Sequence, residues 1–461
     1  MKKWMIGVLS AWSAAVMLAW SGMMMLAWSA MIMLAWSANT MAALPIQHWQ
    51  LANGAQVYFV ENHELPILDV SIDFPAGSAY DPTDQNGVAA MTQRMLDQGA
   101  GGLTDVQIAS QVADVGALLG GDLDADRAGV SLRTLSHGEE QQAALALMTK
   151  VVDMPAFSQT VLEREKARVI ESLTQSDGEP QSIAAVAFQR AVFAGHPYGH
   201  RQSGDIDTVK TLTSANLLAF YHAHYVANHA VVALIGDVTH DQANAVAQQL
   251  TSGLSTDVVA PGAIPPVPAL TQAVTKKITF PAQQSQILIG QPGVAREDPD
   301  YFTLYVGNYV LGGGGFDSRL MEQVRQQRGL AYSVYSYFMP MREAGVFQIG
   351  LQTRTQQTVQ ALAVVQKTLA DFLSQGVTEV ELTQAKHSII GGFPLRIDSN
   401  QKQLQYLAMI GFYQLPLDYL DQFPSKVAAV TAPQIKAAFK RHIDPARMVT
   451  VIVGAESVTQ P

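Results

Sequence analysis

The chain has 461 residues, 48% of them hydrophobic and 15% charged, which is enough apolar material for two or more domains and excludes a disordered chain. Its 29 basic and 39 acidic side chains give a net charge of −10, which argues against a nucleic-acid partner. Cysteine is absent, so disulfide frameworks and cysteine-bound metals are excluded, while an oxidising compartment stays compatible.

The N-terminus opens Met1-Lys2-Lys3 and carries no further charge until Glu61, with an apolar run over 4–38. This pattern, followed by the small-residue site Met41-Ala42-Ala43, predicts a secretory signal spanning 1–43. Without Lys2 and Lys3 the net charge falls to −12. MLAWS recurs at Met17, Met25 and Met33, placing tryptophans at 12, 20, 28 and 36. At about 100° per residue an eight-residue spacing drifts by about 80° per copy, so the indoles spiral around a helix and build no single contact face. The run also suffices to span a bilayer, and an uncleaved anchor is the alternative to export into the periplasm.

Farther along, strands are expected at 70–74 and 346–351 and a helix over 356–374, stopped by Gly376. A Pro- and Gly-rich stretch around 261–268 marks a linker, placed at 255–271, between an N-terminal domain (44–254) and a C-terminal one (272–461). The halves resemble each other. LTSANLLAFYHAHYVANHAVVALIGDV (212–238) and VTAPQIKAAFKRHIDPARMVTVIVGAE (430–456) each read as a capped helix, with Ser214 or Thr431 near the N-cap, a polar turn, and an apolar strand ending in Gly236 or Gly454. LEREKARVI (162–170) matches LTQAKHSII (382–390) in the same way. Strands and long helices mixed within each half predict an α+β fold in two copies.

LGGGGFDSRL (311–320) lacks the lysine and hydroxyl residue that a phosphate loop requires at fixed offsets, so nucleotide binding is not its role. A side-chain-free turn that brings the backbone close to a neighbour and launches the next element is expected instead. No GxSxG elbow occurs. His222, His224 and His229 lie at a helix end and turn without a nearby acid, and read as structural.

Three blocks, FPAGSAYDPTDQNGVAAMTQRM (74–95), GHPYGHRQSGD (195–205) and GGGGFDSRLMEQVRQQRGLAYSVYSYF (312–338), together resemble the pitrilysin family of zinc peptidases, specifically its bacterial members that work as pairs of two-domain chains. The resemblance implies two homologous domains, each a mostly antiparallel sheet packed with helices as in mitochondrial processing peptidase, closing as a clamshell on pairing. It also implies an inverted HxxEH zinc motif on the helix at 87–95. There the histidine positions hold Ala90 and Arg94 and the glutamate position holds Gln93, so no zinc is expected on this chain. Glu171 falls where the family places its third ligand; one carboxylate is no zinc site, and pairing with Arg94 is its expected fate.

The family's C-terminal arginine and tyrosine, seven apart, are present as Arg325 and Tyr332. By resemblance they reach the scissile peptide, and both can donate hydrogen bonds to a developing oxyanion. Read without the resemblance, Arg325 is a solvated helix residue and Tyr332 an ordinary strand aromatic. The implied function is a zinc-free subunit of an exported heterodimeric peptidase, with zinc and general base on an HxxEH-bearing partner. Peptide substrate is expected to add a strand to a sheet edge near 74–80, with Gly77 and Ser78 as binding positions. His196 and Tyr198 are expected to be structural or chamber-lining. The alternative is an inactive scaffold or peptide-binding protein of the same fold.

Overall fold

Strand formation begins with alternation that buries one or both faces. In a computed structural model describing residues 44–257 and 262–455, β1 (Gln47–Gln50), β2 (Gln56–Glu61), β3 (Ile67–Phe74), β6 (Leu118–Leu123), β7 (Ala128–Leu135) and β8 (Val231–Gly236) form one sheet, in the order β1-β2-β8-β3-β7-β6. A short hairpin, β4 (Gly99–Ala100) and β5 (Leu103–Thr104), stands apart. The second sheet holds β9 (Val274–Thr279), β10 (Gln284–Pro292), β11 (Ala331–Met339), β12 (Val346–Arg354) and β13 (Val449–Gly454), in the order β11-β12-β10-β13-β9. The leader with its MLAWS copies lies outside the described residues.

The two sheets share one plan. In each, one parallel pair (β2 with β8, β9 with β13) is followed by three antiparallel pairings that end in an edge strand, β6 or β11. The fold is α+β, and the likeness of the halves seen in the sequence has its counterpart in strand order.

Central strands run longer than their apolar stretches predict. β3 begins at Ile67 because Asp69, nearly fully buried, is held by a forked pair of bonds from Arg133 on β7, at 2.7 and 3.1 Å. A buried carboxylate in mid-strand is tolerated only with such a partner. β12 likewise runs on to Arg354, beyond the expected end at 351.

The principal helices are α1 (Val88–Met95), α2 (Gln159–Ser176), α3 (Pro180–Val192), α4 (Ser214–His224), α5 (Tyr301–Asn308), α6 (Thr358–Gln375), α7 (Asn400–Phe412) and α8 (Ala432–His442). The repeated helices α4 and α8 are capped alike by Thr213 and Thr431, each in a reciprocal capping box, so Ser214 is the first helical residue and not the cap. α6 stops at Gly376, whose φ of 78° is costly for any residue with a Cβ.

The halves exchange helices. α3, from the first half, covers β10 and β13 of the second sheet, putting Phe188 and Val192 with Leu288, Val449 and Val451. α7, from the second half, covers β2, β3 and β8 of the first sheet. Gly411 of α7 permits that approach, since a Cβ there would lie 2.6 Å from Val231 Cγ1 and 2.7 Å from the Tyr58 ring. From Pro45 onward the chain clusters as one unit. Buried Asp126 ties the halves again: it accepts hydrogen bonds from the Tyr198 hydroxyl (2.6 Å), the Tyr413 hydroxyl (2.7 Å) and the Arg342 N–H (2.7 Å). Burial, with the Asp126 carboxylate beside them, pushes both phenols well above their ordinary range. His196 Nε2 meets the Pro265 carbonyl at 2.7 Å.

Candidate functional site

α1 starts where Asp81 meets it. The Asp81 carboxylate accepts N–H bonds from Gly87 (2.6 Å) and Ala89 (2.8 Å), a negative group at a helix N-terminus. Burial nevertheless pushes its carboxyl up to about 7 against the pull of those two N–H groups. Gly87 has φ 96°, and a Cβ there would sit 2.8 Å from Gly204 Cα, so only glycine fits the entry to this helix.

Along α1 the expected motif positions are arrayed on a helix as the sequence implied. Ala90 contributes no ligand atom. The Gln93 amide rests against Gly121 of β6, where a Cβ would collide with it. Arg94 Nε donates to Glu165 Oε2 at 2.9 Å. The expected pairing of Arg94 with Glu171 is therefore corrected: Glu171 is exposed on α2, and the partner is Glu165. The cause is helical phase. Leu162, Glu165, Lys166 and Leu173 form the buried face of α2, which Glu171 does not share. That phase is the signal in LEREKARVI that points to Glu165, and spacing from the motif alone passes over it.

Glu165 has a side chain only 2% exposed and is ringed by three guanidiniums, with Arg164 Nε (3.0 Å) and Arg168 Nη1 (2.6 Å) on its other oxygen. Burial alone would raise its carboxyl, but the bonds from Arg94 and Arg164 and the charges of Arg94 and Arg168 hold it below the ordinary glutamate value. Gln93, Arg94, Gly120, Gly121, Glu165 and Arg168 line a pocket of about 290 Å³. These residues do not fit zinc: the sole carboxylate on the pocket wall that is buried has both oxygens taken by arginines, and no imidazole faces it.

Gly77 and Ser78 are not on a sheet edge. β3 is central, Ser78 is buried, and its N–H already donates to the Asp124 carbonyl at 3.1 Å while the Ala79 N–H donates to Ala125. A Cβ at Gly77 would overlap the backbone of Ala125 and Arg127, so this glycine serves a close chain crossing. The edges of the first sheet are β1 and β6, and β6, LLGGDL, has Gly120 and Gly121 exposed beside the α1 pocket.

In the second half, α5 runs on into a wider π-helical turn at Tyr309–Gly313. A Cβ on Gly312 would strike Ser336 of β11, and Gly315 takes φ 60° before the chain enters a second π-helical turn at Met321–Gln326. The glycines thus do provide close passage and a left-handed turn, but against β11. They lead to Arg325, whose guanidinium carbon lies 4.8 Å from the Phe316 ring centre and 4.5 Å from that of Tyr332. Tyr332 is 82% exposed at a bulge where the pairing of β11 with β12 slips between Ala331 and Val334. The structure therefore brings Arg325 and Tyr332 together, stacked, with Tyr332 on β11, an edge strand of the second sheet. The altered motif residues stand beside the equivalent edge of the first.

His224 Nδ1 meets the Pro75 carbonyl at 2.9 Å and packs on Phe220, a structural role. Among the described residues one group, Asp298, Asp300 and His442, is spaced for a cation, but Arg441 is bonded to Asp300 and already answers its charge. No helix among the described residues is long and apolar enough to cross a membrane.

Residues 56–205 match the family described as insulinase (peptidase family M16), and 211–389 match the peptidase M16 inactive domain. A solved structure described as a peptidase M16 inactive domain from Pseudomonas fluorescens is 37% identical, with a TM-score of 0.87, covering 91% of this chain and 100% of that one. A protein of Helicobacter pylori named a non-peptidase homolog is 25% identical over 84% of this chain and 89% of its own length. The periplasmic protease PqqL of Escherichia coli shares the fold, at 15% identity and a TM-score of 0.75, over 89% of this chain and 45% of that one.

Proposed function

This chain belongs to the M16 peptidase family, and from that premise we propose that it is the metal-free subunit of an exported heterodimeric peptidase. An HxxEH-bearing paralogue supplies zinc and general base, and this chain supplies peptide binding and the Arg325–Tyr332 pair. The observation that carries the reading is the contrast between its two edge regions. The motif pocket has no imidazole, and its buried carboxylate is taken by arginines, yet Arg325 and Tyr332 stand stacked, with the tyrosine held out by a bulge and 82% exposed. A scaffold has no use for so exposed a phenol beside an ordered guanidinium. Both groups donate hydrogen bonds to a carbonyl or oxyanion without a metal.

Peptide adds to the free edge of β6, where main-chain bonds give sequence-tolerant affinity and Gly120 and Gly121 leave the backbone uncovered. Export to the periplasm rests on the leader of 1–43, two lysines followed by an uncharged apolar run, and agrees with the periplasmic setting named for the Escherichia coli protease of like fold. The second reading, an inactive scaffold, is favoured by the name of the Helicobacter relative.

Co-purification with an HxxEH paralogue and a peptide-cleavage assay separates them. The pair is expected to cleave and the lone chain not; Arg325→Ala and Tyr332→Phe lower turnover of the pair without changing its zinc content. Cleavage by this chain alone, or full turnover in both variants, refutes the proposal, and the latter result returns the scaffold.

A further inference from the structure

The pocket between α1, β6 and α2 presents guanidinium N–H groups that face solvent and that no protein group among the described residues engages. Arg94 uses only Nε and Arg168 only Nη1 toward Glu165, and among the described residues the remaining N–H groups of both find no protein acceptor. Glu165 cannot take them, since Oε2 is held by Arg94 and Oε1 by Arg164 and Arg168. Arg164 is committed further, to Gln98 Oε1 at 3.0 Å and Asp105 at 2.7 Å. The other acid on the wall, Asp97, is exposed and accepts from the neighbouring Gln98 amide at 2.8 Å. Two half-exposed guanidiniums thus offer free planar forks over an apolar floor of Leu119, Val130 and Val151.

A free fork fits an anion with two oxygens, bound by parallel charge-assisted bonds. The geometry next to it names the source. Gly120 and Gly121 belong both to the pocket wall and to the edge strand β6, so a chain laid along that edge runs into the pocket. About 290 Å³ is room for a terminal residue. We infer that this vacated motif pocket is a carboxylate receptor, in which Arg94 and Arg168 hold the C-terminal carboxylate of a peptide paired with β6. The inference rests on the reading that peptide adds to β6, and it specifies the substrate class as peptides presenting a free C-terminus.

The test compares one labelled peptide as free acid and as C-terminal amide, with fluorescence anisotropy on the mature chain. The free acid is expected to bind about tenfold tighter or more, the range of hydrogen bonds to charged groups. Arg94→Gln, which leaves Glu165 with Arg164 and Arg168, is expected to bring the acid down to the affinity of the amide, with thermal melts confirming the fold. Arg94→Lys restores the charge without the fork and is expected to recover only part of the preference. Equal binding of acid and amide overturns the inference and leaves strand addition standing. An acid peptide N-methylated at alternate residues separates the two: undiminished affinity refutes strand addition at β6, whereas loss with both acid and amide supports it. If an amidated peptide ending in aspartate binds as tightly as the free acid, the assignment to the chain terminus is overturned. Failure of every peptide to bind overturns both.

Discussion

Tyr413 donates its phenolic hydrogen to Asp126 across 2.7 Å and 287 positions of sequence, so a buried carboxylate of the first half accepts hydrogen bonds from the second. Removing the carboxylate takes the acceptor from the Tyr198 and Tyr413 hydroxyls and from the Arg342 N–H, although the Tyr198 oxygen still accepts from the Glu343 N–H. Asp126→Ala is expected to destabilise the chain by about 2–5 kcal/mol, and Tyr413→Phe by about 1–3 kcal/mol, as charge-assisted bonds and unsatisfied buried groups do. Urea unfolding of each variant measures this; an unchanged midpoint for Asp126→Ala would show that the contact carries no stability.

Zinc is the second readout. The wild-type chain is expected to carry no stoichiometric zinc after dialysis, by elemental analysis. Ala90→His with Arg94→His places two imidazoles one helical turn apart on α1 and frees the Oε2 oxygen of Glu165, Oε1 staying with Arg164 and Arg168, and is expected to gain zinc binding. Adding Glu165→Ala should abolish that gain. Retention of the metal in the triple variant would move the third donor elsewhere, Glu171 being the first place to look.

Much of this is legible in the sequence. The repeated capped helix and strand at 212–238 and 430–456 foretell two sheets on one plan, because caps and apolar runs are local signals. The Arg325–Tyr332 pair stands out only through the family resemblance of its block, and the bulge that exposes Tyr332 is not legible in the sequence. Two expectations fail for non-local reasons. Whether 74–80 is an edge depends on where β7 and β8 pair, which no property of Gly77 or Ser78 encodes. Which acid meets Arg94 depends on the phase of α2 against α1, and a count of positions along the chain does not carry it.

Close packing gives a third expectation. Gly411 of α7 lies against Val231 and Tyr58, so Gly411→Val must push the helix off the first sheet. A loss of about 1–3 kcal/mol is expected from such overpacking, beside the propensity gain of leaving glycine. A variant as stable as wild type by thermal denaturation would mean that α7 slides without cost.

Acid sensitivity has a definite sign at Glu381. Burial pushes its carboxyl up, but bonds from Arg319 and Thr378 outweigh this and hold it at about 2, below the ordinary 4.5. A depressed carboxylate contributes stability that is fully present above its unfolded value and is lost as pH falls toward its folded one. Arg319→Met, which removes the forked contact at 2.6 and 2.8 Å, should therefore be less stable than wild type at pH 7, with the gap closing between about pH 4.5 and pH 2. A gap that widens on acidification would contradict the assignment.

The exchanged helices also settle what a cut would do. Since α3 completes the core of the second sheet and α7 that of the first, a protease nick within 255–271 of the folded protein should leave two fragments that stay associated without the covalent bond. Expressed alone, either fragment lacks the lid of its own sheet. Biosynthesis then has an order built into it: the first sheet waits, uncapped, until almost the last of the chain has left the ribosome.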